Sequence, residues 1–222
     1  MHLEAVAEHR HRLELCVEQL RDWCSSCRLQ LNPDKTELIW FGSKANLAKP
    51  RQLDTNLSLC SVVVEPDDSV LDLGVILDSE HSKAQHIGKI SSTCFFHLRR
   101  LRKLRLVLDS SSIKRLLSAF IMSRLDYCNA VRAGLPANKL APLQRALNAA
   151  ARLMVGTVAG DRDGDVMRLL HWLPIAYRIR FKLWLLMYAV NNGTGPAYIA
   201  DITIPISILS GHHRPRSGAT NQ

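Results

Sequence analysis

Between residues 5 and 27 the apolar positions Leu13, Cys16, Val17, Leu20, Cys24 and Cys27 recur at three- and four-residue intervals, with charges between them. That spacing predicts an amphipathic helix. After "LNPDK" the period shortens: Thr36 to Phe41 alternates and stops at Gly42-Ser43, which predicts a strand, and residues 44–57 read as a loop. Two runs rich in β-branched residues follow, "LSLCSVVV" (57–64) and "SVLDLGVIL" (69–77), separated by the turn sequence Glu65-Pro66-Asp67-Asp68. Each run is expected to be a strand.

From about residue 82 the period is helical. Ile87, Ile90, Cys94, Leu98, Leu101, Leu104 and Leu108 form one apolar stripe. Asp109 and the three serines after it supply N-cap chemistry for a second helix, whose Ile113, Leu116, Leu117, Phe120 and Ile121 should face inward. Gly134-Leu135-Pro136 breaks that helix. Leu140, Leu143, Leu147, Ala150, Ala151 and Met154 mark a third, ending at Gly156. A Gly/Asp linker (156–165) leads to a short helix ending near "HWLP", and a last helix runs from Pro174 to Asn191-Asn192-Gly193. The tail, with Pro205, Gly211, Pro215 and Gly218, is expected to be extended or disordered.

The chain therefore divides into a helix-plus-strands piece (1–80) and an all-helical piece (81–200), and the expected fold class is α+β. Three strands and one helix leave at least one sheet edge without a partner, so the first piece calls for a covering surface.

Charge adds a direction. Twenty-nine Lys and Arg against 20 Asp and Glu give a formal charge of +9 in 222 residues, which favours polyanionic partners. The surplus is concentrated: Lys89, Arg99, Arg100, Arg102, Lys103, Arg105, Lys114 and Arg115 face a single acid, Asp109. With Leu98, Leu101 and Leu104 on the buried side, the cations project outward, where they either contact phosphates or form a solvated face. No apolar run is long enough to span a bilayer, and no signal peptide precedes the first helix, so an intracellular, non-membrane protein is expected.

Other candidate chemistry is thin. Cys24-x-x-Cys27 lacks a second ligand pair for zinc and sits at a helix end, so the expected reading of the six cysteines is free thiols, several of them buried. His97 and His171 have no nucleophile or carboxylate constellation around them. Tyr127, Trp172, Tyr177 and Trp184 are spaced as core residues, with base stacking the competing role.

Several strings, in order, carry a resemblance. "LRDWCSSCRLQLNPDKTELIWFG" (20–42), "LDLGVILDS" (71–79), "SRLDYCNAV" (123–131), "LQRALNAAARL" (143–153), "LHWLPIAYRIRFKL" (170–183) and "GPAYIADI" (195–202) resemble the C-terminal part of reverse transcriptases from LINE-type, jockey-like non-LTR retrotransposons. The likeness covers about residues 13–202. It implies a partial palm over 1–80, a helical thumb over 81–156, a post-thumb segment over 157–202 and a disordered tail over 203–222. It also makes Lys35 the match to the lysine of the family's fourth palm motif, a residue that can approach the leaving pyrophosphate; the competing reading is a solvated lysine after a Pro-Asp turn.

The family's enzymes are RNA-directed DNA polymerases that hold Mg²⁺ on an aspartate pair and an earlier Asp. That pair precedes the fourth motif, and only about thirty residues stand before the motif here. Asp67-Asp68 lies downstream and follows Pro66, which fits a surface turn. The resemblance thus implies a fragment without polymerase activity or a cofactor of its own, retaining nonspecific RNA or RNA/DNA duplex binding. The alternative is a domesticated interaction module with a protein partner on the exposed palm face.

Overall fold

A computed structural model describes residues 3–48, 55–59, 62–156 and 163–204 of the chain. It is a mixture of helices and antiparallel hairpins. A long helix α1 (Leu3–Ser26) is followed by a 3₁₀ turn (Pro33–Lys35) and a short helix α2 (Lys44–Ala48) inside the expected loop. The tail expected to be disordered lies, from residue 205 on, outside the described residues, as do Cys60 and positions 157–162 of the Gly/Asp linker.

The β architecture differs from the expectation of three paired strands. Each β-rich run folds back on itself: β1 (Leu57–Leu59) pairs with β2 (Val62–Val64), and β3 (Ser69–Asp72) pairs with β4 (Val75–Asp78). The second hairpin turns at Leu73-Gly74, both in the left-handed region at φ 45° and 84°. A two-residue turn with φ positive at both positions matches the right-handed twist of the strands, and Gly74 accepts that conformation without a Cβ penalty. The stretch 36–41 is not a strand; it contributes one isolated bridge, Leu38 to Pro66.

The helical part follows the apolar periodicity in its main helices and departs from it at several places. Helix α3 (Ala84–Leu104) is entered through Asp78, whose buried carboxylate accepts the N–H groups of Ser82 (2.5 Å) and Lys83 (2.6 Å). Helix α4 (Ser110–Leu117) is capped by Asp109, which accepts from Ser111 and Ser112. The helix does not continue to Gly134. It widens into a π turn (Ser118–Met122), in which the Ser123 N–H reaches the Ser118 carbonyl, then re-forms as α5 (Ser123–Asp126) and ends in a 3₁₀ turn (Asn129–Arg132). The extra residue per turn rotates Phe120 to the surface, contrary to the expectation, while Ile121 and Leu125 stay buried.

Helix α6 (Ala137–Val155) ends at Gly156 in the left-handed region, as expected. Helix α7 (Asp163–Leu169) follows. Then come α8 (Ile175–Asn191), N-capped by Pro174, and a short α9 (Ala197–Ile202) that the sequence pattern does not announce.

The main core joins α3, α4, α5, α6, α7 and the first turns of α8, with Leu117, Ile121, Leu143, Ala146 and Leu147 fully buried. A second, much smaller cluster holds Leu38, Leu57 and Val64 with Val17 of α1 against it. Most of the apolar stripe of α1 is exposed: Leu13 and Leu20 are 38% and 49% exposed, and Cys16 and, just past the helix end, Cys27 are exposed as well. Helix α8 buries Ile175 and Ile179, whereas Tyr177 and Trp184, expected in the core, are exposed. Beyond its first two turns the helix extends past the core that α6 provides.

Candidate nucleic-acid interface

Helix α3 buries Ile87, Cys94, Leu98 and Leu101 against α6 and its neighbours. Leu104, expected on that face, is 45% exposed, because the helix ends there and the chain turns away. With Leu98 and Leu101 held inside, Arg99, Arg102 and Lys103 stand exposed within little more than one turn, about 6 Å along the axis. Lys89, Arg100, Lys114 and Arg115 are exposed too. None of these seven forms an ion pair among the described residues, so their charge is available to a partner.

Arg100 is partly engaged: its guanidinium lies 5.5 Å from the centre of the Phe96 ring. Arg105 is a correction to the expected set. Its Nε donates to the Leu153 carbonyl at 3.1 Å, and its guanidinium lies beside Gly156 at the end of α6. A cation at a helix C-terminus satisfies carbonyls and opposes the negative end of the dipole, so Arg105 is structural. It leaves seven exposed cations, five on α3 and two on α4.

Sequence reasoning missed two arginines that fold close to this surface. Arg124 and Arg132 fall in a stretch whose apolar spacing drew attention to packing instead. Arg132 is 1% exposed; its Nη2 donates to the Leu125 carbonyl (2.5 Å), while Nε and Nη1 find no partner. Burial pulls its pKa below the ordinary arginine value, against the pull of Asp126 in the other direction. Asp126 itself is taken by Arg178 of α8 at 2.7 Å.

The remaining candidates separate. Lys35 is exposed at the end of the 3₁₀ turn, remote in sequence from the basic face, with Asn32 capping that turn through the Asp34 N–H. Asp67 and Asp68 are exposed turn residues held through backbone bonds to Leu38 and Ser79. Among the described residues no three His, Cys, Asp or Glu side chains converge. His97 stacks on Phe120 at 4.9 Å, and burial, then Arg124 and Arg100, depress its pKa. His171 is exposed, in the left-handed conformation just past α7, and Trp172 packs on the core. Of the five described cysteines, all free, only Cys94 is buried, and burial pushes its thiol up to about 11.

With the geometry in place, the chain can be set against known proteins. It matches no family model, no curated protein and no solved structure. No helix among the described residues is long and apolar enough to cross a membrane. What the site can do therefore rests on its own chemistry: a row of unpaired cations on a helix that is anchored by its opposite face.

Proposed function

We propose that the chain binds duplex nucleic acid without sequence preference, through the outer face of α3 and the adjoining turn of α4. The observation that carries this is the set of seven exposed cations free of acidic partners among the described residues. Side chains of this kind contact phosphates, which fix position but carry no base information. The ordered likeness to the thumb and post-thumb of LINE-type reverse transcriptases supports the same role, and under this reading the chain is a non-polymerising segment of such a protein. The test is anisotropy of the full chain with two unrelated labelled duplexes across a salt series. Equal affinities that fall steeply with salt are expected; sequence-dependent or salt-indifferent binding overturns the proposal.

A second reading, a protein-interaction module, is favoured by a different observation. Tyr177, Phe181, Trp184 and Tyr188 recur at four, three and four residues along α8 and are 53–68% exposed. An aromatic stripe of that length is the composition of a protein-binding hot spot. Its signature is a complex that forms equally well at low and high salt.

A further inference from the structure

Beside the basic face, α3 and α5 border an open cleft of about 360 Å³, which Gly74 of the β3–β4 turn also lines. We propose that this cleft binds a nucleoside monophosphate, with the phosphate between Lys89 and Arg124 and the base against Ile90 and the ring of Tyr127.

The charge comes first. Lys89 lines one wall and Arg124 the other; neither has an acidic partner among the described residues, and no carboxylate lines the cleft. Asp72 is the carboxylate that acts electrostatically on the Tyr127 hydroxyl, from outside the lining. Two cations lining one small cleft are matched by the double charge of a phosphate monoester, through charge-assisted hydrogen bonds.

Size and the remaining walls then require more than phosphate. The volume corresponds to roughly a dozen waters at about 30 Å³ each, and it falls at the lower end of small-molecule sites, about 300–1,000 Å³. Ile90 is half-buried, and the half-exposed Tyr127 ring is tied at its far end, where its hydroxyl donates to the Leu73 carbonyl at 2.5 Å. A fixed aromatic ring beside an aliphatic side chain suits a flat heterocycle, and base–aromatic stacking is sequence-tolerant.

The hydroxyls complete the match. Thr93 donates to the Lys89 carbonyl and Ser123 to the Ala119 carbonyl, so the protons of Thr93, Ser123 and Tyr127 are all committed to backbone. Their free lone pairs accept hydrogen bonds, which ribose hydroxyls and exocyclic amines donate and a phosphate dianion cannot. The π turn immediately before Ser123 sets where Ser123, Arg124 and Tyr127 emerge, and π insertions of this kind recur at functional sites.

The test is calorimetry on the full chain at low salt, titrating AMP, UMP, adenosine and inorganic phosphate in turn. AMP and UMP are expected to bind at least tenfold tighter than either adenosine or phosphate alone. Arg124→Gln and Lys89→Gln should each weaken AMP at least fivefold with unchanged far-UV circular dichroism, whereas adenosine binding stays as it was. Absence of binding by both nucleotides, or AMP no tighter than adenosine, overturns the proposal. So does AMP binding unaltered in Arg124→Gln. Phosphate as tight as AMP reduces the cleft to a simple anion site and overturns it as well. The duplex reading fails separately: Arg124→Gln should leave duplex binding intact, and the Arg99→Gln, Arg102→Gln, Lys103→Gln triple variant should leave AMP binding intact.

Discussion

Replacing Arg99, Arg102 and Lys103 together by Gln removes three charges while keeping a polar side chain and helix propensity. All three are exposed on α3, and none is tied to an acid or a carbonyl among the described residues, so the fold does not depend on them. If each neutralises one phosphate, the log–log dependence of affinity on salt loses about 2.7 from its slope on B-DNA, at about 0.9 per contact. Lines that converge near 1 M salt then differ by roughly 500-fold at 0.1 M. Anisotropy of a labelled duplex between 50 and 300 mM salt reads both quantities, on the order of ionic strengths where phosphate contacts dominate. Arg105→Gln is the internal control, because that guanidinium already serves Leu153 and should change the slope little. A triple variant with unchanged affinity and unchanged slope would refute the interface and leave α3 as an ordinary solvated helix face.

Arg132→Met should raise stability: one hydrogen bond to Leu125 holds a charge that is 1% exposed, and Asp126 keeps Arg178 as its partner when the charge goes. Replacing buried ionic groups by well-packed apolar side chains is often neutral or stabilising by about 1–4 kcal/mol, which at this size is about 2–4 °C in melting temperature per kcal/mol; a lower melting temperature would show that the lone guanidinium is a net support. Burial, reinforced by Arg132, Lys83 and Lys89, holds the His86 pKa below its ordinary 6.5. The unfolded chain therefore takes up a proton that the folded ring refuses, so stability is full above pH 6.5 and declines as pH falls toward the folded value. The urea midpoint should be lower at pH 5.5 than at 7.5, and His86→Gln should shrink that difference, as His97 contributes in the same sense. Leu117→Ala, at 0% exposure in the main core, should cost about 2–5 kcal/mol in a urea melt. With a thiol reagent, Cys16, Cys27 and Cys128 should react quickly in the folded chain and Cys94 only on unfolding, since its thiol is buried and raised to about 11.

Helical periodicity, caps and stop signals depend on neighbours a few residues apart, and these were legible in the chain itself. The stripe of α3, the Asp109 cap of α4, the Gly156 end of α6 and Pro174 at the start of α8 all follow from local steric and hydrogen-bonding rules. The outward placement of Arg99, Arg102 and Lys103 follows as well, once Leu98 and Leu101 fix the buried face. Non-local choices were not legible. A run such as "SVLDLGVIL" alternates well enough for one strand, and only the pairing of Ser69 with Asp78 makes it a hairpin about Leu73-Gly74. The π turn shifts the register after Leu117, which is why Phe120 emerges and why Arg124 and Tyr127 meet Lys89 across a cleft. Arg105 looked like its neighbours until the end of α6 arrived beside it, 48 residues later in the chain. Amphipathic patterns on α1 and α8 state that a face is apolar, but burial also needs an opposing surface, and only the tertiary structure decides whether one is there.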